Sequence, residues 1–407
     1  MRGVAGDPLV CQNQTASLVC PVTLEEQPEG TLPDIQIAQE AMRFLDGYDT
    51  SLDPFFLAVG FNKPHIPLKF PKEYMDLFPD MGLAENYTKP EGLPDIAWNP
   101  WEDLRRRDDV KALNVSFPYG PLPLDYQKEV RRAYYAATTY IDDLIGQVLE
   151  TLEKRDLAKN TIIVLIGDHG WSLGEHQEWA KYSNLKVATN TPLLLRVPVL
   201  TELMDHRRMP FRHHNPFNLT TDLLHHRHCA PTEGCVMLPY QQESHQLVEL
   251  VDLFPTLAQL TGLPVPGSCP SNGSAEILCT EGRSLFSLLD HHSTSEQDDP
   301  PPRWTNQSFS QYPRPSLHPK TNSDQPALRD MRYMGYSAHL DHLHYITWLP
   351  FDPSTFTSNW TMAVAHELYD LSTDPLEYHN LYNSSDIATN SRFQSILKAR
   401  FSTTIVS

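Results

Sequence analysis

The stretch Thr161-Ile-Ile-Val-Leu-Ile-Gly-Asp168-His169-Gly170-Trp171 decides the fold. An apolar, largely β-branched run that stops abruptly at Asp-His-Gly predicts a buried parallel strand. Strands of that kind deliver polar groups to the carboxyl edge of an α/β sheet, where ligands bind. Asp168 and His169 would leave that edge side by side, and Gly170 would allow a sharp turn. Two further clusters follow at once, Leu173-Gly-Glu-His176 and Trp179-Ala-Lys-Tyr182, both dense in charged or aromatic groups.

The surrounding chain has room for such a sheet. Its 407 residues, 40% of them hydrophobic, predict a large globular core, and 35 prolines predict long ordered loops. Upstream of the strand, apolar spacing predicts helices over Pro33–Tyr48 and Asp125–Leu157. Pro54-Phe-Phe-Leu-Ala-Val-Gly60 reads as a second buried strand, emptying into Asn62-Lys63-Pro64-His65-Ile66-Pro67. Residues 68–123 are proline-rich and too long for an ordinary connection, so they read as a functional or wrapping loop. Downstream, Pro192–Pro198 reads as a strand, 200–245 as a His-, Arg- and Pro-rich insertion, and Leu250–Leu260 as a short helix. Residues 287–303, with Pro300-Pro301-Pro302, form the linker. Beyond it, alternation over Met331–Ala338, His342–Leu349 and Glu367–Leu371, then a helix over Ser391–Phe401, predicts a small α+β module. The expected organisation is therefore 1–286, a linker at 287–303, and 304–407.

Charge and processing signals bound the environment. The net charge is −19, and protonating all 18 histidines would leave −1, so an acidic compartment relieves self-repulsion. No basic stripe is visible, which argues against nucleic acid as a partner. No run approaches the length of a membrane span. Asn13, Asn86, Asn114, Asn218, Asn272, Asn306, Asn359 and Asn383 each open an Asn-X-Ser/Thr triplet, which together point to the secretory route. The pairs Cys11 with Cys20, Cys229 with Cys235, and Cys269 with Cys279 are close enough to clip local loops as disulfides; buried free thiols are the alternative. Met1-Arg-Gly-Val-Ala-Gly-Asp-Pro has no apolar signal-peptide core. With eight sequons downstream, the expectation is that Met1 is not the native start.

Several strings resemble the type I sulfatase family of the alkaline-phosphatase-like superfamily. Tyr135–Asp143 followed by Asn160-Thr-Ile-Ile and Asp168-His-Gly-Trp is similar to its central helix and strand. Val251-Asp-Leu-Phe-Pro-Thr256 and Glu367-Leu-Tyr-Asp-Leu-Ser-Thr-Asp-Pro375 are similar to its later landmarks. Within the family, five strings resemble the branch that removes 2-O-sulfate from iduronate ends of heparan sulfate and dermatan sulfate. They are Lys63-Pro-His-Ile-Pro67, Asn99-Pro-Trp-Glu-Asp103, Tyr119-Gly-Pro-Leu-Pro123, Ala180-Lys-Tyr-Ser183 and Ser310-Gln-Tyr-Pro-Arg-Pro315. The resemblance implies an α/β sheet flanked by helices with a smaller C-terminal α+β subdomain. It also implies a Ca2+ cofactor, a sulfated glycosaminoglycan substrate, and residence in the lysosome.

Site roles follow from the same resemblance. Asp168 is a hard carboxylate ligand suited to the cation, and His169 either ligates it or touches a sulfate oxygen. His65 is the proton donor to the departing sugar oxygen, or a hydrogen bond to sulfate. Lys181 holds a sulfuryl oxygen, Lys63 is mainly structural or exposed, and Trp171 and Tyr182 form a wall of the sugar pocket. Each has a plainer reading: a helix N-cap for Asp168, a loop histidine, a surface lysine, core aromatics. The histidine clusters 213–214 and 225–228 fit no zinc-finger spacing and read as a solvated insertion.

One departure matters. The family's formylglycine nucleophile comes from Cys-X-Pro-Ser-Arg, and an early Asp-Asp pair completes its cation site. Cys229-Ala-Pro-Thr-Glu233 carries Glu where Arg is required, and Cys269-Pro-Ser fails at spacing. The chain therefore reads as an N-terminally truncated member that lacks the nucleophile, does not hydrolyse sulfate esters as it stands, and leaves sheet faces uncovered. The alternatives are a non-catalytic isoform or pseudoenzyme that binds a glycan or partner, and a phosphatase or phosphodiesterase of the wider superfamily.

Overall fold

The computed structural model describes residues 11, 17–51, 53–198, 200–201, 211, 213, 215–217, 244–270, 278–289 and 304–402. Its organising element is the helix Leu124–Lys154. Val130, Ala133, Ala137, Tyr140, Ile141 and Leu144 recur at three- and four-residue steps and are buried along one stripe. The alanines in that stripe let the helix Pro33–Gly47 approach closely, through Ala38, Ala41 and Leu45. Proline at the first position of this second helix costs no hydrogen bond and presets its φ. A short parallel pair, Val19–Val22 with Leu68–Pro71, lies against the long helix and completes the main core.

The decisive strand forms, but over a shorter span and in a different setting. Ile163–Ile166 pairs antiparallel with Leu193–Arg196, not parallel as expected. Its side chains are only half-buried, with Ile166 48% and Leu194 52% exposed. Among the described residues nothing pairs with the outer edges of this two-stranded piece. Residues 54–60 likewise run without a ladder partner. Phe55 and Leu57 pack on a small cluster with Leu45, Leu152 and Leu157, while Phe56 is 85% exposed. The segment alternates like a strand but is not the buried strand expected, and among the described residues it joins no ladder.

The C-terminal module is an antiparallel sheet. Gln307–Arg314 pairs with Tyr333–Leu340, which pairs with Leu343–Asp352, and the last also pairs with Ala365–Asp370 and Thr357–Ser358. The first of these strands was not foreseen, because Pro313 and the polar run Ser308–Gln311 hide its period. The helix Ile387–Phe401 closes one face through Phe393 and Leu397, with Asp386 capping the Thr389 amide.

Cys11–Cys20 and Cys269–Cys279 are disulfide-bonded. Cys229 and Cys235, Asn13, Asn218 and Asn272, His225–His228, and most of the 287–303 linker lie outside the described residues. Asn114, Asn359 and Asn383 are exposed. The Asn306 amide is engaged, accepting from the Leu247 N–H at 2.6 Å and donating to Asp341 at 3.3 Å. No helix among the described residues is long and apolar enough to cross a membrane.

Candidate active site

Asp168 and His169 stand just past the end of the strand Ile163–Ile166. The Asp168 carboxylate is 87% exposed, and His169 Nε2 lies 3.4 Å from it. His169 Nδ1 lies 2.7 Å from the Gly170 carbonyl, which can only accept, so Nδ1 carries the proton. That leaves the Nε2 lone pair free, and Nε2 is buried without a hydrogen-bond partner. A histidine that donates one ring nitrogen to a carbonyl and points the other at a carboxylate is arranged as metal-binding histidines are. The pair therefore fits a divalent cation as part of its ligand set; a Ca2+ ion takes six to eight oxygens, so these two groups supply a minority of it.

Gly170 serves a different purpose from the one expected. Its φ is not in the left-handed region; instead a Cβ there would fall on the carbonyl oxygens of Val187 and Asn190. The glycine lets the strand exit close against the turn 185–190, where its N–H donates to the Ala188 carbonyl at 2.8 Å.

A tight hairpin carries the next groups. Ser172 pairs with Ala180 and Leu173 with Trp179, antiparallel. Lys181 follows directly on Ala180, the last paired residue of this hairpin. Trp171 is half-buried and stacks on Tyr134, with ring centroids 6.1 Å apart; the His169 ring is 6.4 Å away. Burial and the Asp168 carboxylate push the Tyr134 hydroxyl up to about 12. Ala180 adopts φ 71°, a strained choice for a residue with a side chain, immediately before Lys181.

His65 reaches the same neighbourhood from the 62–67 loop. Burial of that loop, with Lys181 and Lys63 nearby, lowers the His65 pKa from its usual value, which places Lys181 within electrostatic reach of it. His65 Nδ1 is 2.7 Å from the Ile66 carbonyl, so its Nε2 faces outward. The loop is anchored from below. Asp34 accepts the Asn62 N–H at 2.6 Å, and Lys63 Nζ donates to the carbonyls of His65 and Pro67, the latter at 2.9 Å. Lys63 is 8% exposed and burial lowers it to about 8. It is a structural tie, one of the two readings expected of it.

Tyr182 is corrected. It is 4% exposed, donates to Asp103 at 2.6 Å, and accepts from Gln325 Nε2 at 2.6 Å. A phenol held this way is part of the frame and offers no face to a sugar.

Beneath the hairpin lies a set of buried polar groups that sequence reasoning did not single out. Arg314, 1% exposed, donates to the carbonyls of Ile96, Ala97 and Tyr182. Glu178 accepts the Asn99 N–H at 2.8 Å, and Asn99 Nδ2 returns to the Trp179 carbonyl at 2.9 Å. Three of the five strings that carried the finer resemblance thus meet in one shell: 99–103, 180–183 and 310–315. Tyr119 of a fourth accepts Gln177 Nε2 at 2.6 Å. The signal was available, since Asn, Glu and Arg amid aromatic and proline residues are costly to bury unless paired.

A family model for sulfatases matches residues 9–263. The chain belongs to the sulfatase family. This sulfatase chain is similar to iduronate 2-sulfatase of Mus musculus, at 46% identity over 91% of the chain and 65% of the relative. With iduronate 2-sulfatase of Homo sapiens it shares 45% identity over 91% of the chain and 66% of the relative. It thus spans just under two thirds of the length of these relatives. Among solved structures, phosphonate monoester hydrolase of Agrobacterium radiobacter matches with TM-score 0.57 at 18% identity, over 97% of this chain and 66% of that one. That likeness shows a shared α/β fold.

Proposed function

We propose that this chain carries the cation-binding, sulfate-holding and proton-donating part of a sulfuric ester hydrolase acting on 2-O-sulfated iduronate ends of heparan sulfate and dermatan sulfate. The observation that supports it most is the identity with two iduronate 2-sulfatases over 91% of the chain. The Asp168–His169 pair and the electrostatic reach between His65 and Lys181 are consistent with that likeness.

Asp168 and His169 would hold Ca2+, which when bound supplies electrostatic stabilisation of charge on the sulfuryl oxygens. Lys181 Nζ binds another sulfuryl oxygen. His65 Nε2 holds the proton destined for the sugar oxygen; its lowered pKa makes the protonated ring a better acid. Trp171, backed by Tyr134, offers a wall to the sugar. Tyr182, Asp103 and Arg314 act through position, fixing Lys181 from behind. The division into 1–286, a linker at 287–303 and 304–407 belongs to this proposal, with Arg314 as the third part's contribution to the site.

None of the six cysteines sits in Cys-X-Pro-Ser-Arg, and Cys269 is in a disulfide. These 407 residues by themselves are therefore expected to bind the sulfated sugar without turning it over. The eight sequons and the disulfides support a secretory route ending in the lysosome. A glycan-binding role without catalysis is the second reading, favoured by the same missing motif.

The test is sulfate release from a disaccharide with a terminal 2-O-sulfated iduronate, beside an aryl sulfate and a phosphodiester. The 407-residue chain should bind the disaccharide in preference to the other two and release sulfate from none. Preference for the phosphodiester would overturn the assignment.

A further inference from the structure

The tightest group of metal-ligating side chains among the described residues lies away from Asp168, in the C-terminal sheet. His339, His344 and Glu377 each offer one ligand atom, and these atoms all fall within 4.8 Å of one another. His339 and His344 face each other across adjacent strands in register, with ring centroids 3.8 Å apart, edge to face. Glu377 comes from the turn after Ala365–Asp370 and holds φ 58°, an uncommon conformation for a side-chain-bearing residue, with its carboxylate turned inward. Exposure is 8%, 1% and 1% respectively.

We propose that His339, His344 and Glu377 form a Zn2+ site that braces the C-terminal sheet against the turn at Lys186. Three features carry this beyond a buried hydrogen-bonded cluster. His339 Nε2 is buried without a hydrogen-bond partner, 3.7 Å from Glu377 Oε1. Ligand atoms around a tetrahedral zinc stand about 3.3 Å apart, given metal–nitrogen bonds near 2.0 Å, so the ion would replace the direct His344 Nδ1–Glu377 contact and draw the wider-spaced atoms inward. The outer shell is already built. His344 directs Nδ1 at Glu377 and Nε2 at Ser337 Oγ, the latter at 2.6 Å, and Glu377 Oε2 accepts the Lys186 N–H at 2.6 Å. Supporting partners of this kind fix ligand orientation in zinc sites. Finally, a cavity of about 300 Å3, lined by Glu377, Lys186, His176 and Asn190, reaches the Glu377 side of the cluster.

A further buried carboxyl stands close by. Glu367, fully buried, accepts from Trp348 Nε1 and the Tyr369 hydroxyl, each at 2.8 Å, and lies within electrostatic reach of His344 and Glu377.

The test uses the full chain, stripped with a chelator, dialysed and titrated with Zn2+ or Co2+. Metal content is counted by mass spectrometry, and melting is followed by circular dichroism. The expected result is one equivalent of zinc retained through gel filtration in both wild type and Asp168→Ala. The metal should raise the melting temperature by several degrees, and Co2+ should give the visible bands of a four-coordinate site. His339→Asn keeps the fold-bearing His344–Glu377 contact and should weaken zinc binding at least tenfold. Ser337→Ala, which keeps all three ligands, should weaken it less. Equal zinc retention in wild type and His339→Asn, or no retained zinc and no shift in the wild type, would overturn the proposal and leave a hydrogen-bonded His–His–Glu cluster.

Discussion

The guanidinium of Arg314 donates to the main-chain carbonyl of Tyr182 at 2.7 Å, one residue beyond Lys181. A strand of the C-terminal sheet therefore holds the main chain that follows Lys181. The same side chain balances buried acids, since Glu178 and Asp324 both lie within its electrostatic reach. Arg314→Met should destabilise the chain by about 3–5 kcal/mol, the usual cost of leaving buried charge unpaired. Arg314→Lys, which keeps charge but loses the planar fork, should also fall short of wild type. Urea denaturation measures both; wild-type midpoints would contradict the role.

Buried carboxyls set a pH dependence. Burial raises Glu178 from 4.5 to about 8, and burial with repulsion from Asp103 raises Asp324 from 3.8 to about 7. A group with a raised folded pKa stabilises fully below its unfolded value and loses that stability as pH rises through the folded one. His339 works the other way: burial and His344 lower it from 6.5 to about 4, so its contribution is lost as pH falls between those values. Above pH 6.5 the carboxyls act alone. Stability should drop by about 2 kcal/mol between pH 6.5 and 8, at roughly 1.4 kcal/mol per unit for one group. Glu178→Gln should flatten most of that slope in melts across the range. An unchanged slope would show that Glu178 is not its source.

Gly170→Ala tests the exit of the decisive strand. The added methyl meets main-chain oxygens of Val187 and Asn190, which cannot rotate away. We expect a loss of about 1–3 kcal/mol from overpacking, with weaker cation binding because His169 moves with its neighbour. Stability and Ca2+ affinity equal to wild type would contradict the close approach.

Where the nucleophile is supplied, His65 should impose an alkaline limit on turnover. Burial, Lys181 and Lys63 lower its pKa from 6.5, so the proton-donating form fades as pH rises through that lowered value. Lys181→Met removes one of the depressing charges. It should shift the limb of the rate profile toward higher pH while weakening sulfate binding. A rate profile unmoved by Lys181→Met would separate the two residues.

Much of the architecture was legible in the sequence, and for physical reasons. The helices Pro33–Gly47 and Leu124–Lys154 declare themselves through apolar residues three and four apart. Strands Tyr333–Leu340 and Leu343–Asp352 were marked by alternation, although both run past the expected ends. The pairing of Ile163–Ile166 was not legible, because an apolar run records burial preference and carries no direction for its neighbour. Asp168, His169, His65 and Lys181 were proposed from composition at strand and loop ends together with family resemblance. Arg314 and Glu178 were not, since their value lies in contacts 132 and 79 residues away. Tyr182 was misread for the same reason: an aromatic beside a candidate lysine suggests a pocket wall, and only Asp103 and Gln325 reveal it as a tie.

The central claim is that Asp168 and His169 hold a cation while Lys181 holds sulfate. Isothermal titration of the 407-residue chain with a disaccharide bearing terminal 2-O-sulfated iduronate, with Ca2+ and with chelator, tests it most directly. The account predicts saturable binding that weakens at least tenfold when Ca2+ is removed, and again in Asp168→Ala and Lys181→Met. Binding of equal strength in all four conditions, or no binding by well-folded wild type in Ca2+, would contradict it.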